Sequence, residues 1–166
     1  LVSIGIVAEN GKKFYAESAD YDENQCDDWI KENVLAHTIL AGNETLAARL
    51  GADEDTMVVL GGKEDIRHEL SEWLKQFDEV QFVSDVCHYD MVLLIDIFGT
   101  AFDLPKNVSA VCHDISQDIA RHYGISDREA FDKSREDIVA ELCGGFIAGD
   151  KHNSLYDAEI IKAIYR

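Results

Sequence analysis

Basic residues are scarce in this chain, and prolines scarcer still. Lys and Arg number 15 against 33 Asp and Glu, a formal net charge of −18. That imbalance argues against a protein that wraps long nucleic acid through a basic face. It leaves open an enzyme gripping a few nucleotides, where divalent cations supply the positive charge that phosphates need. The single proline and the lack of any low-complexity run exclude long linkers and disorder. No apolar stretch approaches the ~20 residues of a membrane span, so no membrane partner is expected. No secretory signal is visible. Cys26, Cys87, Cys112 and Cys143 form no C-x-x-C pair, which removes a zinc ribbon and a thioredoxin-like motif. Their wide spacing fits reduced thiols and a cytoplasmic protein. The sequons Asn43-Glu44-Thr45 and Asn107-Val108-Ser109 are read as chance triplets.

The length of 166 residues suits one domain over residues 1–166. Residues 1–8 read as a strand, and Asn10-Gly11 is a two-residue hairpin signal. Lys13–Ser18 alternates and should be the partner strand. Residues 22–34 show helical spacing, with Trp29, Ile30 and Val34 on one face. Residues 36–52 should hold a loop and a short helix. A short apolar run at 57–60 precedes an amphipathic helix over 63–77, with Ile66, Leu70, Trp73, Leu74 and Phe77 inward. Gly62-Lys63 lacks the glycine spacing of a P-loop. Residues 80–86 read as a strand and 89–98 as a largely buried helix closed by Gly99. Asp103-Leu104-Pro105 is a turn and 108–112 a short strand. Helices are expected at 114–123, stopped by Gly124, and at 127–142 with Ser126 as N-cap. A last helix starts near Asn153 or Ser154. The order of elements is that of a mixed α/β domain with a hairpin on one side.

The chemistry gathers at the C-terminal end. His152 stands five residues ahead of Asp157, just before that helix. Positions five apart on a helix do not share a face, since each residue turns about 100°. His152 must therefore sit in the loop or first turn to point toward Asp157. A divalent ion held by Asp157 and bridged to Asp90 could bind a phosphate and acidify a water. An imidazole with an ordinary pKa near ~6.5 suits taking the water's proton. The same residues admit plainer readings. Ser154-x-x-Asp157 matches a capping box with Asp in place of Glu, and Asp90 is favoured near a helix N-terminus regardless of chemistry. Glu17 and Asp20 fit either a cleft or a solvated loop. Cys87-His88 and Cys112-His113 are weak metal candidates, because neighbours on a strand point to opposite sides. Trp29, Trp73 and Phe77 read as core, and Tyr89 as the aromatic on which a base could stack.

Three segments carry a resemblance: residues 1–18 (LVSIGIVAENGKKFYAES), residues 88–99 (HYDMVLLIDIFG) followed by Asp103-Leu104-Pro105, and residues 152–158 (HNSLYDA). In this order the chain resembles the DEDDh 3′–5′ exonucleases of RNase H-like fold, and among them the small bacterial exoribonuclease branch. The resemblance implies an RNase H-like mixed sheet flanked by helices. It implies Mg²⁺ or Mn²⁺, two ions, held by four acids. Carried over, Asp90 is the third acid, Asp157 the fourth and His152 the general base. It further implies the 3′ end of single-stranded nucleic acid, RNA by preference, as partner, and a homodimer.

The family's first, central strand, which bears D-x-E, is absent from this sequence. We expect a truncation, with a strand and loop of about 15 residues ahead of Leu1. On their own the residues present should hold metal poorly and be nearly inactive. Val86 stands where the family commonly has asparagine, and Ser154 and Tyr156 where alanine and aspartate are frequent. Two other readings stay open: a metal-free binding or scaffold module on the same fold, and a DNA-directed exonuclease.

Overall fold

The computed structural model describes residues 1–165. They form a mixed α/β structure with eight α-helices among the described residues. Two compact units divide the chain. The first comprises Leu1–Trp73 and Ala148–Ala158, the second Leu74–Ile147 and Glu159–Arg166. None of the described helices is long and apolar enough to cross a membrane.

The first unit is built on a three-stranded sheet in the order β1 (Ser3–Val7), β2 (Lys13–Ser18), β3 (Thr56–Gly61). β1 runs antiparallel to β2 and β3 parallel to it. The hairpin is there, but its loop is longer than two residues. The Ala8 amide still donates to the Lys12 carbonyl, Gly11 donates back to the Ala8 carbonyl, and Gly11 takes a positive φ of 92°. That is a three-residue connection with glycine in the left-handed position.

A parallel partner needs a crossover, supplied by α1 (Asp28–Asn33) and α2 (Glu44–Gly51) with two 3₁₀ turns. The helix expected over 22–34 is therefore broken. Asp27 accepts from the Ile30 amide and starts α1 only there, so the apolar face is too short to bury Trp29, which is 54% exposed.

β2 is buried along its length rather than on one face. Phe14, Tyr15 and Ala16 are fully buried and Glu17 nearly so. Phe14 meets Trp73 of α3 (Lys63–Leu74) on one face, at 5.8 Å between rings. Ile66, Leu70, Trp73 and Leu74 of that helix are buried as the 3.6-residue period requires. Phe77 lies beyond the helix end. On the other face Tyr15 packs with Leu46 and Leu50 of α2 and with Leu155.

In the second unit β4 (Val83–Ser84) pairs in parallel with β5 (His113–Asp114), and a bridge joins Val80 to Val108. Both strands are shorter than the sequence pattern, and β5 begins past residues 108–112. α4 (Cys87–Phe98) connects them and ends at Gly99. Leu94, Ile97 and Phe98 are buried, while Tyr89, Val92 and Leu93 are exposed, so α4 is one-sided rather than largely buried.

α5 (Ile115–Tyr123) ends at left-handed Gly124. The helix expected over 127–142 is two, α6 (Asp127–Asp132) and α7 (Arg135–Cys143). Ser134 caps the second, and Arg135 Nη1 donates to the Ala130 and Lys133 carbonyls. Each helix end is thus satisfied, which makes the break cheap. Ile115, Ile119, Ala120, Ala130 and Ile138 form the core of this unit, with Ile161 and Ile164 of α8 (Ser154–Tyr165) packed on it.

The tightest approach of a glycine to backbone atoms in the first unit is at Gly5. A Cβ there would stand 2.3 Å from the Leu155 amide nitrogen and 2.4 Å from the Ser154 carbonyl carbon. Backbone cannot yield as a flexible side chain can. Gly5→Ala is expected to cost about 2 kcal/mol or more by overpacking, read as a lower urea midpoint. Gly11→Ala, with open space around it, should cost only about 1 kcal/mol. Equal effects would overturn this account of the β1–α8 approach.

Candidate active site

In the first unit the site starts from β2. Tyr15 donates its hydroxyl to Glu17 Oε1, and the amides of Ile39 and Leu40 donate to the same carboxylate at 2.7 and 2.8 Å. Glu17 is thus neither a cleft ligand nor a solvated loop residue. Burial first, then the bond to Glu17 and its charge, push the Tyr15 phenol well above its usual range. It remains a hydroxyl, able both to donate to Glu17 and to accept from Asn153 Nδ2 at 3.4 Å. Asp20 is also structural. It accepts from Ser18 Oγ and from the Lys63 amide at the start of α3, and these bonds hold its carboxyl below the usual range.

Buried Asn153 caps α8. Its Oδ1 accepts from the Leu155 and Tyr156 amides, and its carbonyl takes the Asp157 amide. This displaces the Ser154 capping box. Ser154 Oγ is instead buried with no hydrogen-bond partner among the described residues. With Asn153 as N-cap, His152 is the residue before the cap and Asp157 the fourth of the helix. Those are the two positions that a staple brings together at a helix start.

His152 has φ 68°, a left-handed conformation rare for a residue with a side chain. Its half-buried ring meets Trp29 edge-on, with centroids 5.0 Å apart at 75°. The sequence reading missed Trp29 as a neighbour of the site. The signal available was Asp27 as an N-cap, which shortens α1 and frees Trp29 from a core face.

In the second unit Asp90 lies in the first turn of α4 and accepts from Ser84 Oγ. The residue is exposed as a whole, so crowding acts locally at its carboxyl. Burial there, with the charges of Asp85 and Asp114, outweighs the Ser84 bond and raises its pKa. Asp85 accepts from Arg135 Nε and Nη2, at 2.6 and 2.9 Å. Asp114 accepts from the amides of Val86, Cys87 and Ser116 and from Ser116 Oγ. Burial alone would push Asp114 up, but these bonds win and hold it below 3.8. Val86, with φ 58°, makes the left-handed turn into α4. Tyr89 is 63% exposed, and its ring lies 4.3 Å from that of His88, tilted by 38°.

Asp90 and Asp157 offer hard anionic oxygens of the kind Mg²⁺ and Mn²⁺ prefer. Among the described residues no three His, Cys, Asp or Glu side chains gather as a metal-binding group. The Cys-His pairs do not make one either: His113 Nε2 engages Asp118, and the His88 ring lies tilted against that of Tyr89. The residues present therefore do not form a complete cage.

Two measurements follow from this geometry. His152→Gly should be more stable than His152→Ala by about 1 kcal/mol, because both lose the ring but only glycine accepts the left-handed backbone without strain. Equal urea midpoints would mean that the turn relaxes. Asp114 contributes stability that is complete above its unfolded value of 3.8 and is lost as pH falls through its lower folded value. Asp114→Asn should cost about 1–3 kcal/mol at neutral pH and flatten the acid limb below pH of about 4. An unchanged acid limb would rule out this role.

No family model matches the chain. The chain is similar to the 3′–5′ exoribonuclease Rv2179c of Mycobacterium tuberculosis (strain ATCC 25618 / H37Rv), 27% identical over 119 residues. The match covers 70% of this chain and 62% of that protein. It is similar to the same extent to the 3′–5′ exoribonuclease MT2234.1 of Mycobacterium tuberculosis (strain CDC 1551 / Oshkosh). The chain thus spans less than two thirds of the length of these curated relatives.

Proposed function

We propose that this protein is a 3′–5′ exoribonuclease of the DEDDh type on an RNase H-like fold. It hydrolyses phosphodiester bonds from the 3′ end of single-stranded RNA and releases nucleoside 5′-monophosphates. The observation that carries the reading is His152. It is an imidazole held in a left-handed turn directly before the capped start of α8, with Asp157 in the first turns. Backbone strain of this kind persists where the surroundings enforce it, and it clusters at functional sites. The similarity to proteins named 3′–5′ exoribonuclease supports the same reading.

In this reading His152 removes the proton from the attacking water, and Asp90 and Asp157 serve the same reaction as metal-binding carboxylates. Asp90 and Asp157 would hold Mg²⁺ or Mn²⁺ together with further acids, and the ions would supply positive charge to acidify the water and steady the leaving 3′-oxygen. Two further acids come, in the pattern the chain resembles, from a D-x-E strand. Tyr89 offers an exposed ring for a base. With the resemblance comes a homodimer, and widely spaced thiols fit a cytoplasmic setting.

The test is digestion of a 5′-labelled single-stranded RNA by the intact protein with Mg²⁺ or Mn²⁺. Stepwise shortening from the 3′ end with 5′-monophosphate products is expected. His152→Ala should lower kcat by about 10²–10⁴-fold with little change in thermal midpoint. Unchanged kcat in that variant would remove His152 as the base. RNA binding without turnover would favour the scaffold reading, and faster digestion of matched DNA would favour the DNA enzyme.

A further inference from the structure

The second unit brings together two cysteines that the sequence keeps 25 positions apart. Cys87 is the first residue of α4, and Cys112 directly precedes β5. Their Sγ atoms stand 2.6 Å apart, and both residues are half-buried free thiols. No feature of the thiols themselves is needed to hold them there. Val83 and Ser84 pair with His113 and Asp114, and the Asp114 carboxylate takes the amides of Val86 and Cys87. Cys87 Sγ also donates to the His113 carbonyl at 3.1 Å. The strand pair and the aspartate thus pre-position one sulfur against the other, whereas the Cys26 and Cys143 thiols meet backbone carbonyls, those of Asp22 and Ala163.

We propose that Cys87 and Cys112 are an oxidisable dithiol, a modification site at which the fold closes a disulfide between the start of α4 and the start of β5. The oxidant class is a small disulfide such as oxidised glutathione. One protein thiol, deprotonated, attacks that disulfide and expels one small thiolate, leaving a mixed disulfide. The second protein thiolate attacks the protein sulfur of the mixed disulfide and expels the other small thiolate. In sum two protein thiols lose two electrons and two protons, and one small disulfide becomes two small thiols. Half-burial leaves the sulfurs within reach of such a reagent. Burial also pushes both thiols upward, so closure is faster in alkaline solution and slow at neutral pH. The link crosses the turn that carries Asp90, and a cross-link of a loop this long raises stability. The proposal is independent of the nuclease reading.

The experiment treats the folded full chain with oxidised glutathione at mildly alkaline pH. Free thiols are then counted in denaturant, and the linked peptides are mapped by mass spectrometry. Four free thiols should become two, with a single linkage between the peptides of Cys87 and Cys112. The thermal midpoint should rise by about 5 °C, and dithiothreitol should reverse both changes. Cys87→Ser and Cys112→Ser should each abolish the link, whereas the Cys26→Ser/Cys143→Ser double variant should keep it. The same treatment in urea should scatter the pairings. Four thiols remaining free in the folded protein, or a link through Cys26 or Cys143, would overturn the proposal.

Discussion

A carboxylate on the middle strand of a sheet has to be answered by donors, because burying it unpaired costs several kcal/mol. Glu17 is answered by the Tyr15 hydroxyl and by the amides of Ile39 and Leu40. The effect reaches well beyond one residue. It anchors the segment after the second 3₁₀ turn to β2. It also orients Tyr15, whose oxygen then receives Asn153. Asn153 in turn starts α8 and sets the residue before the cap and the fourth residue of the helix. A buried acid on a strand thereby positions a histidine and an aspartate 135 and 140 residues further along the chain.

A second aspartate performs the matching task in the other unit. Asp114 ends β5, caps α5 through Ser116 and holds the amides that lead into α4. The turn it grips contains left-handed Val86, which has no side chain able to cap a helix. The capping function that Val86 lacks is supplied from a strand 28 residues away. Arg135 adds a bidentate pair to Asp85 on the same turn, the strongest geometry available to such a pair. Asp90 therefore sits on a turn braced from two sides, among carboxylates that raise its own proton affinity.

Much of the architecture was legible along the chain. The period of Ile66, Leu70, Trp73 and Leu74 marked α3, and glycines at 11, 99 and 124 marked chain reversals that need positive φ. Helix breaks were harder to read, because 127–142 is continuously helix-friendly until Ser134 and Arg135 find partners outside the helix. β4 and β5 were overestimated, because β-branched residues favour extension without stating where a pairing partner ends. For the candidate site, sequence placed His152 ahead of a helix and Asp157 within it, but left the helix start between Asn153 and Ser154, with a Ser154 capping box as the plainer reading. Either residue suits a cap, and the choice fell to Asn153 because Tyr15 lies beside it.

What the chain determined by itself were properties read within a few residues: helical periods, the hairpin, the Ser126 cap, and the order of elements. The tertiary structure alone decided that Trp29 faces outward beside His152, that Glu17 is buried rather than solvated, and that Cys87 meets Cys112. The reason is one of range. Local pattern reports which face of an element is apolar, whereas the partner across that face comes from a distant segment whose position depends on the packing of everything between them.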